Sequence, residues 1–275
     1  MKVEKQHPIT ISRLQVNGPY VRESLSVDLT PPGLQDQILY NDFDIPTRDN
    51  SIITARLYRS KSTPSTTKLP IYLYYHGGGF LFGTLSAEDA YCARVASAIP
   101  ILILSVNYRH TPVHRHPTQT NDAWDAFEWT LSHLEDLGAD RAQLLVGGSS
   151  AGAALASAVA VKHNQSSQSQ QRTIKGLVLG IPWLYHLAAF PFDLLASKDV
   201  SAYYENRFAP VLPRTMLEQY ADLLCAEDPD ETSLFVGNAE DDAVKGLPRT
   251  AFLVAGRDPL RDDALLFNEK LNRNG

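Results

Sequence analysis

The chain lacks the features that mark secreted or membrane proteins. Its two cysteines, Cys92 and Cys225, are too few for a disulfide framework, and Cys92 lies in a helical pattern typical of a small buried residue. No apolar run reaches the roughly 18 residues that a membrane span needs. The opening stretch MKVEKQHPITISRLQ has no apolar core of a secretory signal. Together these absences predict a cytoplasmic protein.

Positive charge and nucleotide-binding motifs are also scarce. The formal net charge of −6 disfavours nucleic acid and anionic membrane surfaces as partners. The glycine-rich stretch GGSSAG at 147–152 does not fit G-x-G-x-x-G and lacks the Lys-Ser/Thr of a phosphate-binding loop. The sequence predicts no cofactor and no metal site. The expected partner is therefore a small molecule. The oligomeric state stays open, with a homodimer as one possibility.

Short apolar runs alternate with helical patterns, which predicts an α/β fold whose mostly parallel sheet is covered by helices on both faces. The 100–108 run is too apolar for a one-faced sheet and is expected to be central. The first two strands should form an antiparallel pair that turns near Asp49-Asn50, and the last strand should be buried. The predicted strands are 37–46, 51–59, 69–76, 100–108, 142–148, 174–182 and 249–256; the predicted helices are 87–98, 121–138, 150–163 and a final one after Asp258.

Three segments depart from this alternation. The polar stretches 60–68 and 164–172 are typical of surface loops. Residues 183–247 show no regular pattern and contain aromatic residues dispersed among Pro and Asp. This irregularity predicts an insertion that covers one end of the sheet. Residues 1–36 are expected to join that cover.

The stretch GGSSAG follows a predicted strand and precedes a predicted helix. Gly148, Ser150 and Gly152 satisfy G-x-S-x-G, whereas a motif centred on Ser149 fails because position 151 is Ala. A serine on a sharp strand-to-helix turn exposes its hydroxyl above the sheet and tolerates only small neighbours two residues away. The pattern favours a nucleophilic serine; a plain glycine-rich turn is the alternative.

Two further motifs fit the same chemistry. In YYHGGGFLFG, three consecutive glycines leave backbone amides free to converge on an anionic oxygen, although a flexible turn would also explain them. Asp258, in GRDPLRDD, follows the last predicted strand at its carboxyl end, where parallel sheets place their sites. Asp258 could equally cap the last helix with no catalytic role, and the local sequence does not decide between the two.

These motifs together resemble the hormone-sensitive-lipase-like family of α/β-hydrolase carboxylesterases, and especially its fungal members. The resemblance extends over nearly the whole chain and rests on HGGGF at 76–80, NYRHTPVHRHP at 107–117 with Asp122 and Trp129 beyond, GGSSAG at 147–152 and DPLRDD at 258–263. It implies an α/β-hydrolase fold in one domain, 1–275, with 1–36 and about 183–230 contributing a small cap.

The resemblance also implies roles for particular residues. Ser150 would be the nucleophile and Asp258 the acid of a catalytic triad, while the amides of Gly78, Gly79 and Ala151 would form the oxyanion hole. The implied activity is hydrolysis of small carboxylic esters, with fungal secondary metabolism as a setting. Three departures concern only the support of the serine: Ser149 stands where the family usually has an acidic residue, Ala153 where it has glycine, and Val113 where it has glutamate.

The triad histidine is not found. The family order is Ser, Asp, His, but no histidine follows Asp258, so the final strand and helix of the fold are expected to be missing from this chain and its esterase activity is in doubt. His163 and His186, which do follow Ser150, are not expected to replace it. An alternative function is a non-hydrolytic cyclase, lyase or isomerase that uses the oxyanion hole and pocket without a Ser–His pair. A protein that only binds a ligand is a third, less favoured alternative.

Overall fold

The computed structural model describes residues 31–166, 173–226, 228 and 231–275. Within them, seven strands form one sheet in the order β1-β2-β4-β3-β5-β6-β7. The pairs β1–β2 and β2–β4 are antiparallel, and every other pair is parallel. The strands are β1 Ile38–Pro46, β2 Ile52–Ser60, β3 Leu69–Tyr75, β4 Leu102–Asn107, β5 Ala139–Ser149, β6 Ile174–Gly180 and β7 Arg249–Leu253. The predicted mostly parallel α/β fold is confirmed.

Helices cover both faces of the sheet. One face packs on α1. This helix begins after Thr84, and the Thr84 hydroxyl caps it by accepting a hydrogen bond from the amide of Ala87 at 3.1 Å. The opposite face packs on α2, α3 and α7. The helices are α1 Leu85–Ala98, α2 Thr118–His133, α3 Ala151–Gln165, α4 Ala202–Glu205, α5 Arg214–Leu224, α6 Asp241–Val244 and α7 Arg261–Asn274.

Helix α3 is the helix closest to the middle of the sheet. It consists mainly of Ala, Val, Gly and Ser, and 12 of its 15 residues are buried. Small side chains allow its backbone to approach the sheet closely, which places its N-terminus directly at the end of β5. The predicted close packing of this helix follows from that composition.

Two predicted elements differ from the structure. Helix α2 ends at His133 and not at Gly138, because Leu137 and Gly138 continue as a turn in which Gly138 takes a φ of +74°. The prediction that the last strand is buried is wrong. Strand β7 alternates between exposed and half-buried residues, since among the described residues it pairs only with β6, and Leu253 is 63% exposed.

The insertion predicted for residues 183–247 is present as short helical turns and loops between β6 and β7, around α4, α5 and α6. Residues 1–30, part of the predicted cap, lie outside the described residues, as do 167–172 of the predicted loop. A short 3₁₀ turn, Gln35–Gln37, leads into β1. Across the described part of the chain, no helix combines the length and apolar character needed to cross a bilayer.

Candidate active site

Ser150 lies between the end of β5 and the start of α3 in a strained backbone conformation, with φ +53° and ψ −116°. A non-glycine residue rarely takes a positive φ, and such strain concentrates at functional positions. The flanking glycines explain how the turn fits. A Cβ on Gly148 would lie 2.5 Å from the Tyr75 carbonyl oxygen, and a Cβ on Gly152 would lie 2.0 Å from the same atom. The motif spacing thus reflects contact with backbone on both sides of the serine.

The glycine triplet after β3 forms a tight turn beside Ser150. The Gly78 carbonyl accepts hydrogen bonds from the amides of Leu81 and Phe82, at 3.1 and 3.0 Å. Gly78 and Gly79 have φ values of +132° and +62°. A Cβ on Gly79 would lie 2.2 Å from the Tyr220 ring. Glycine is therefore required both by conformation and by the close approach of the insertion.

A loop after β4 supports this turn. The Tyr108 hydroxyl donates to the His76 carbonyl at 2.8 Å, and the Thr111 amide donates to the Phe80 carbonyl at 2.8 Å. Arg109 and the fully buried Asp122 form an ion pair with Nη2 2.6 Å from Oδ1. The hydrogen bonds from the Arg109 side chain to Asp122 raise the pKa of Arg109 and keep it charged. The stretch 107–117 and Asp122, which the sequence resemblance singled out, act here as a brace for the glycine turn.

One cavity of about 370 Å³ brings the predicted site residues together. Ser150, Gly78, Gly79 and Asp258 all line it, whereas Ala151 is fully buried at the start of α3. The N-terminus of α3 carries a partial positive charge that favours a developing oxyanion near the serine. The remaining lining residues come from β3 and the turn after it, from α1, from the ends of β5 and β6 and from the insertion: Tyr74, Gly77, Ala87, Glu88, Ala90, Tyr91, Ser149, Ile181, Val211, Leu212 and Tyr220.

Asp258 lines the cavity and also stabilises the turn before α7, so its catalytic role stays a prediction beside its structural one. Its Oδ1 accepts the amide of Leu260 at 2.7 Å, which stabilises the turn into α7, although α7 itself begins at Arg261 and its cap position is Leu260. Burial raises the pKa of Asp258, and the hydrogen bond from Leu260 opposes that shift. A carboxylate that lines the cavity and is fixed by a turn can both shape the chain and orient a base.

No histidine of the described residues lines this cavity. His163 lies 95% buried near the far end of α3, against Phe127, and burial lowers its pKa. His186 lies in the insertion, where its Nδ1 accepts the Ala188 amide at 3.2 Å, so it caps a short turn. His7 lies outside the described residues.

A family model described as the alpha/beta hydrolase fold matches residues 72–275. The matched range includes both glycine motifs, the brace and Asp258. The chain belongs to the hormone-sensitive-lipase-like carboxylesterases of this fold. At the level of the family, its relatives are carboxylic ester hydrolases.

Individual relatives agree with this placement. Esterase LipI of Mycobacterium tuberculosis is 31% identical over 227 residues, covering 81% of this chain, which spans 66% of LipI. A versiconal hemiacetal acetate esterase of the fungus Dothistroma septosporum is 29% identical over 235 residues. The aligned region covers 84% of this chain and 69% of that esterase. The structure of EstE1, a carboxylesterase from a metagenomic library, is 26% identical with a TM-score of 0.80, covering 96% of this chain and 84% of that one.

A vibralactone cyclase structure has a TM-score of 0.85 at 21% identity, covering all of this chain and 80% of its own. At that identity the likeness concerns the fold alone. A shared fold does not decide which reaction a protein catalyses. Whether this chain hydrolyses esters must be argued from the residues of its site.

The insertion of this esterase-family chain is anchored to α7 by a buried carboxyl. Asp263 Oδ2 accepts the amides of Leu184 and Tyr185 at 2.8 and 3.1 Å, and the Tyr203 hydroxyl at 3.3 Å. Complete burial raises the pKa of Asp263 well above its usual value, against the effect of these hydrogen bonds. Asp263 therefore connects α7 to the insertion. Burying its ionisable carboxyl group costs free energy.

We expect Asp263→Asn to gain stability relative to the native chain as pH rises. The raised pKa means that the native chain loses stability from about pH 4 upward, through the folded-state pKa, because the folded state holds the proton more tightly than the unfolded state. Asparagine keeps an acceptor oxygen and never ionises. Urea unfolding of both proteins at several pH values gives the difference directly, with the exposed Asp242→Asn as a charge-matched control. A difference that falls with rising pH would contradict the raised pKa.

Some lining residues were not among the predicted site residues. Glu88 and Tyr91 lie three positions apart on α1, so they share one helix face, and Tyr220 approaches from α5. The spacing of Glu88 and Tyr91 after the glycine triplet was the available signal. Nothing in the sequence around Tyr220 points to Gly79.

Proposed function

We propose that this chain is a serine hydrolase of small carboxylic esters, with Ser150 as the nucleophile. The observation that carries the proposal is the cavity in which a strained, glycine-flanked serine, the glycine turn and Asp258 meet. Each feature has a local structural explanation by itself. Their convergence on one small cavity in a carboxylesterase-family chain is what supports a common chemical role.

In the proposed reaction, Ser150 Oγ attacks the ester carbonyl carbon, and the carbonyl oxygen takes up the negative charge. The amides of Gly78, Gly79 and Ala151 stabilise that oxyanion, helped by the N-terminus of α3. The C–O bond to the alcohol then breaks, the alcohol leaves with a proton, and water releases the acid from the acyl-serine. Residues 183–230 are proposed to act as a cap over this site.

The substrate class is proposed from cavity size and from relatives. A cavity of about 370 Å³ suits a small ester. The name of the Dothistroma relative specifies an acetate ester, which supports a short acyl group in the substrate of this chain. A role in fungal secondary metabolism is proposed from the sequence resemblance alone.

The reaction needs a general base to take the proton of the Ser150 hydroxyl. The described lining of the cavity contains no histidine that could do so. Without a base, the serine hydroxyl is a weak nucleophile, and loss of one triad member leaves only residual catalysis from the oxyanion hole and binding. The proposal therefore predicts slow chemistry at Ser150 in this 275-residue chain, which an external base accelerates.

Labelling with a fluorophosphonate tests both parts. We expect the folded protein to be labelled at Ser150, identified by peptide mass spectrometry, at a rate several orders of magnitude below that of a complete triad and rising with added imidazole. Ser150→Ala should abolish labelling, while Ser149→Ala, which alters the neighbouring cavity residue, should keep it. Folded protein that is not labelled at Ser150, or is labelled at Ser149, would remove the nucleophile assignment.

The absence of a histidine from the described cavity lining favours one second candidate, a cyclase, lyase or isomerase that uses the oxyanion hole without a Ser–His pair. The two functions make opposite predictions for Ser150→Ala. Native turnover that survives this substitution supports the non-hydrolytic reaction, and turnover that disappears supports the esterase.

A further inference from the structure

One wall of the cavity combines a carboxylate with aromatic rings. Glu88, in the first turn of α1, has its Oε2 2.9 Å from the Tyr74 hydroxyl, which donates to it. The Tyr74 ring packs against Tyr91 with centroids 5.1 Å apart. All three side chains line the cavity that contains Ser150. We call these three residues the anionic wall.

The arrangement holds the Glu88 side chain at the cavity. Tyr74 is 4% exposed and fixed within β3, so its hydroxyl is a rigid donor. Glu88 itself is half-buried, and Tyr91 follows one helical turn later on the same face. The neighbouring Asp89 belongs to a separate cluster, since its carboxylate binds Arg56 and the Tyr58 hydroxyl.

The ionisable side chains in the described lining of the cavity include carboxyl groups but no cationic group. Its described lining contains two carboxyl groups, Glu88 and Asp258, and no lysine, arginine or histidine. The insertion contributes Val211, Leu212 and Tyr220 to the lining. A described lining with carboxylates, aromatic rings and no cationic side chain attracts positive groups and repels negative ones.

We propose that the anionic wall makes this site selective for esters that carry an ammonium group, with Glu88 as the specificity-determining residue. The cavity is small, so an ester held with its carbonyl at Ser150 places its substituents against this wall. An ammonium group there faces the Glu88 carboxylate and the rings of Tyr74 and Tyr91. A carboxylate-bearing ester meets like charge and is rejected.

This inference names the substrate class of the proposed esterase site and so depends on that function for its meaning. It can be tested without the reaction, by binding. The Ser150→Ala variant removes the nucleophile, so ligand binding there reports only on the cavity. Failure of fluorophosphonate labelling would then count against the esterase, and failure of charge selectivity would count against the anionic wall.

The probes are two ketones of one shape that differ in charge, 4-oxopentyltrimethylammonium and 6,6-dimethylheptan-2-one. Calorimetric titration into Ser150→Ala should give a dissociation constant at least tenfold lower for the ammonium ketone. Adding Glu88→Gln, which keeps the volume and a hydrogen-bonding partner for Tyr74, should reduce the preference to about twofold or less. Glu135→Gln, an exposed residue at the end of α2 remote from the cavity, changes net charge equally and should keep the preference.

Three outcomes overturn the proposal: equal affinities for the two ketones, a preference that survives Glu88→Gln, or no measurable binding of the ammonium ketone at millimolar concentration. A second measurement guards against a misfolded variant. Tyr91→Leu keeps the carboxylate and removes one ring, and it should lower the affinity for the ammonium ketone while that for the neutral ketone changes less.

Discussion

Gly152→Ala is expected to destabilise the protein by about 3 kcal/mol or more and to abolish labelling of Ser150. The new Cβ would lie 2.0 Å from the Tyr75 carbonyl oxygen and 2.5 Å from the His76 carbonyl oxygen. Both neighbours are backbone atoms in the sheet end and the glycine turn, so no side-chain rotation relieves the contact. The chain must move β3 away from α3, which separates the glycine turn from the serine. Urea unfolding and fluorophosphonate labelling measure the two effects.

The matched control is Ala153→Gly, one residue later in the same turn of α3. Ala153 is fully buried, and its substitution removes a methyl group and lowers helix propensity, for which we expect a cost of about 1 kcal/mol. Labelling of Ser150 should survive, because no atom is added at the turn. If the two variants lost similar amounts of stability and labelling, the effect would not be specific to the close contact at Gly152. That result would contradict the prediction.

The sequence predicted those parts of the site that depend on local backbone chemistry. Ser150 and its flanking glycines are recognisable because a strand-to-helix turn imposes its residue types within five positions. The glycine triplet is recognisable for the same reason. The succession of strands and helices along the chain was predicted from alternating apolar runs and helical patterns. The close packing of α3 was predicted from its small residues.

The parts that were not predicted depend on contacts between distant segments. Tyr220 meets Gly79 across 141 positions in sequence (220 − 79), and no periodicity encodes that approach. Strand β7 is apolar, which predicted burial, but its exposure is decided by whether another strand pairs with its outer edge. The anionic wall combines Glu88 and Tyr91 of α1 with Tyr74 of β3, and no local pattern in the sequence shows that these three residues and Ser150 line one cavity.

The brace behind the glycine turn provides the second large expected effect. Asp122 is fully buried and accepts hydrogen bonds from three donors of Arg109: the backbone amide at 2.9 Å, Nε at 2.9 Å and Nη2 at 2.6 Å. Among the described residues, Asp122→Ala leaves the half-buried guanidinium with the exposed carboxylate of Asp49 as its partner. We expect a loss of about 3 kcal/mol in the free energy of unfolding, because the charge loses its buried partner and an exposed carboxylate compensates it only in part.

The same chain offers a control of nearly identical geometry. Asp125, one turn further along α2, accepts the corresponding three donors of Arg48, with the shortest contact again 2.6 Å, but the Arg48 side chain is 40% exposed. Asp125→Ala should therefore cost about 1 kcal/mol or less. Equal costs for the two substitutions would mean that hydrogen-bond geometry, and not burial, sets the strength of these pairs.

Labelling separates the structural role of the brace from its effect on the site. Arg109 lies between Tyr108, which holds the His76 carbonyl, and Thr111, which holds the Phe80 carbonyl, so it sits between the two anchors of the glycine turn. In conditions where Asp122→Ala remains folded, we expect slower labelling of Ser150, since Gly78 and Gly79 are less well placed to stabilise the charged adduct. Asp125→Ala should label at the native rate. If Asp122→Ala also labels at the native rate while it is less stable, then the pair stabilises the fold without positioning the oxyanion donors.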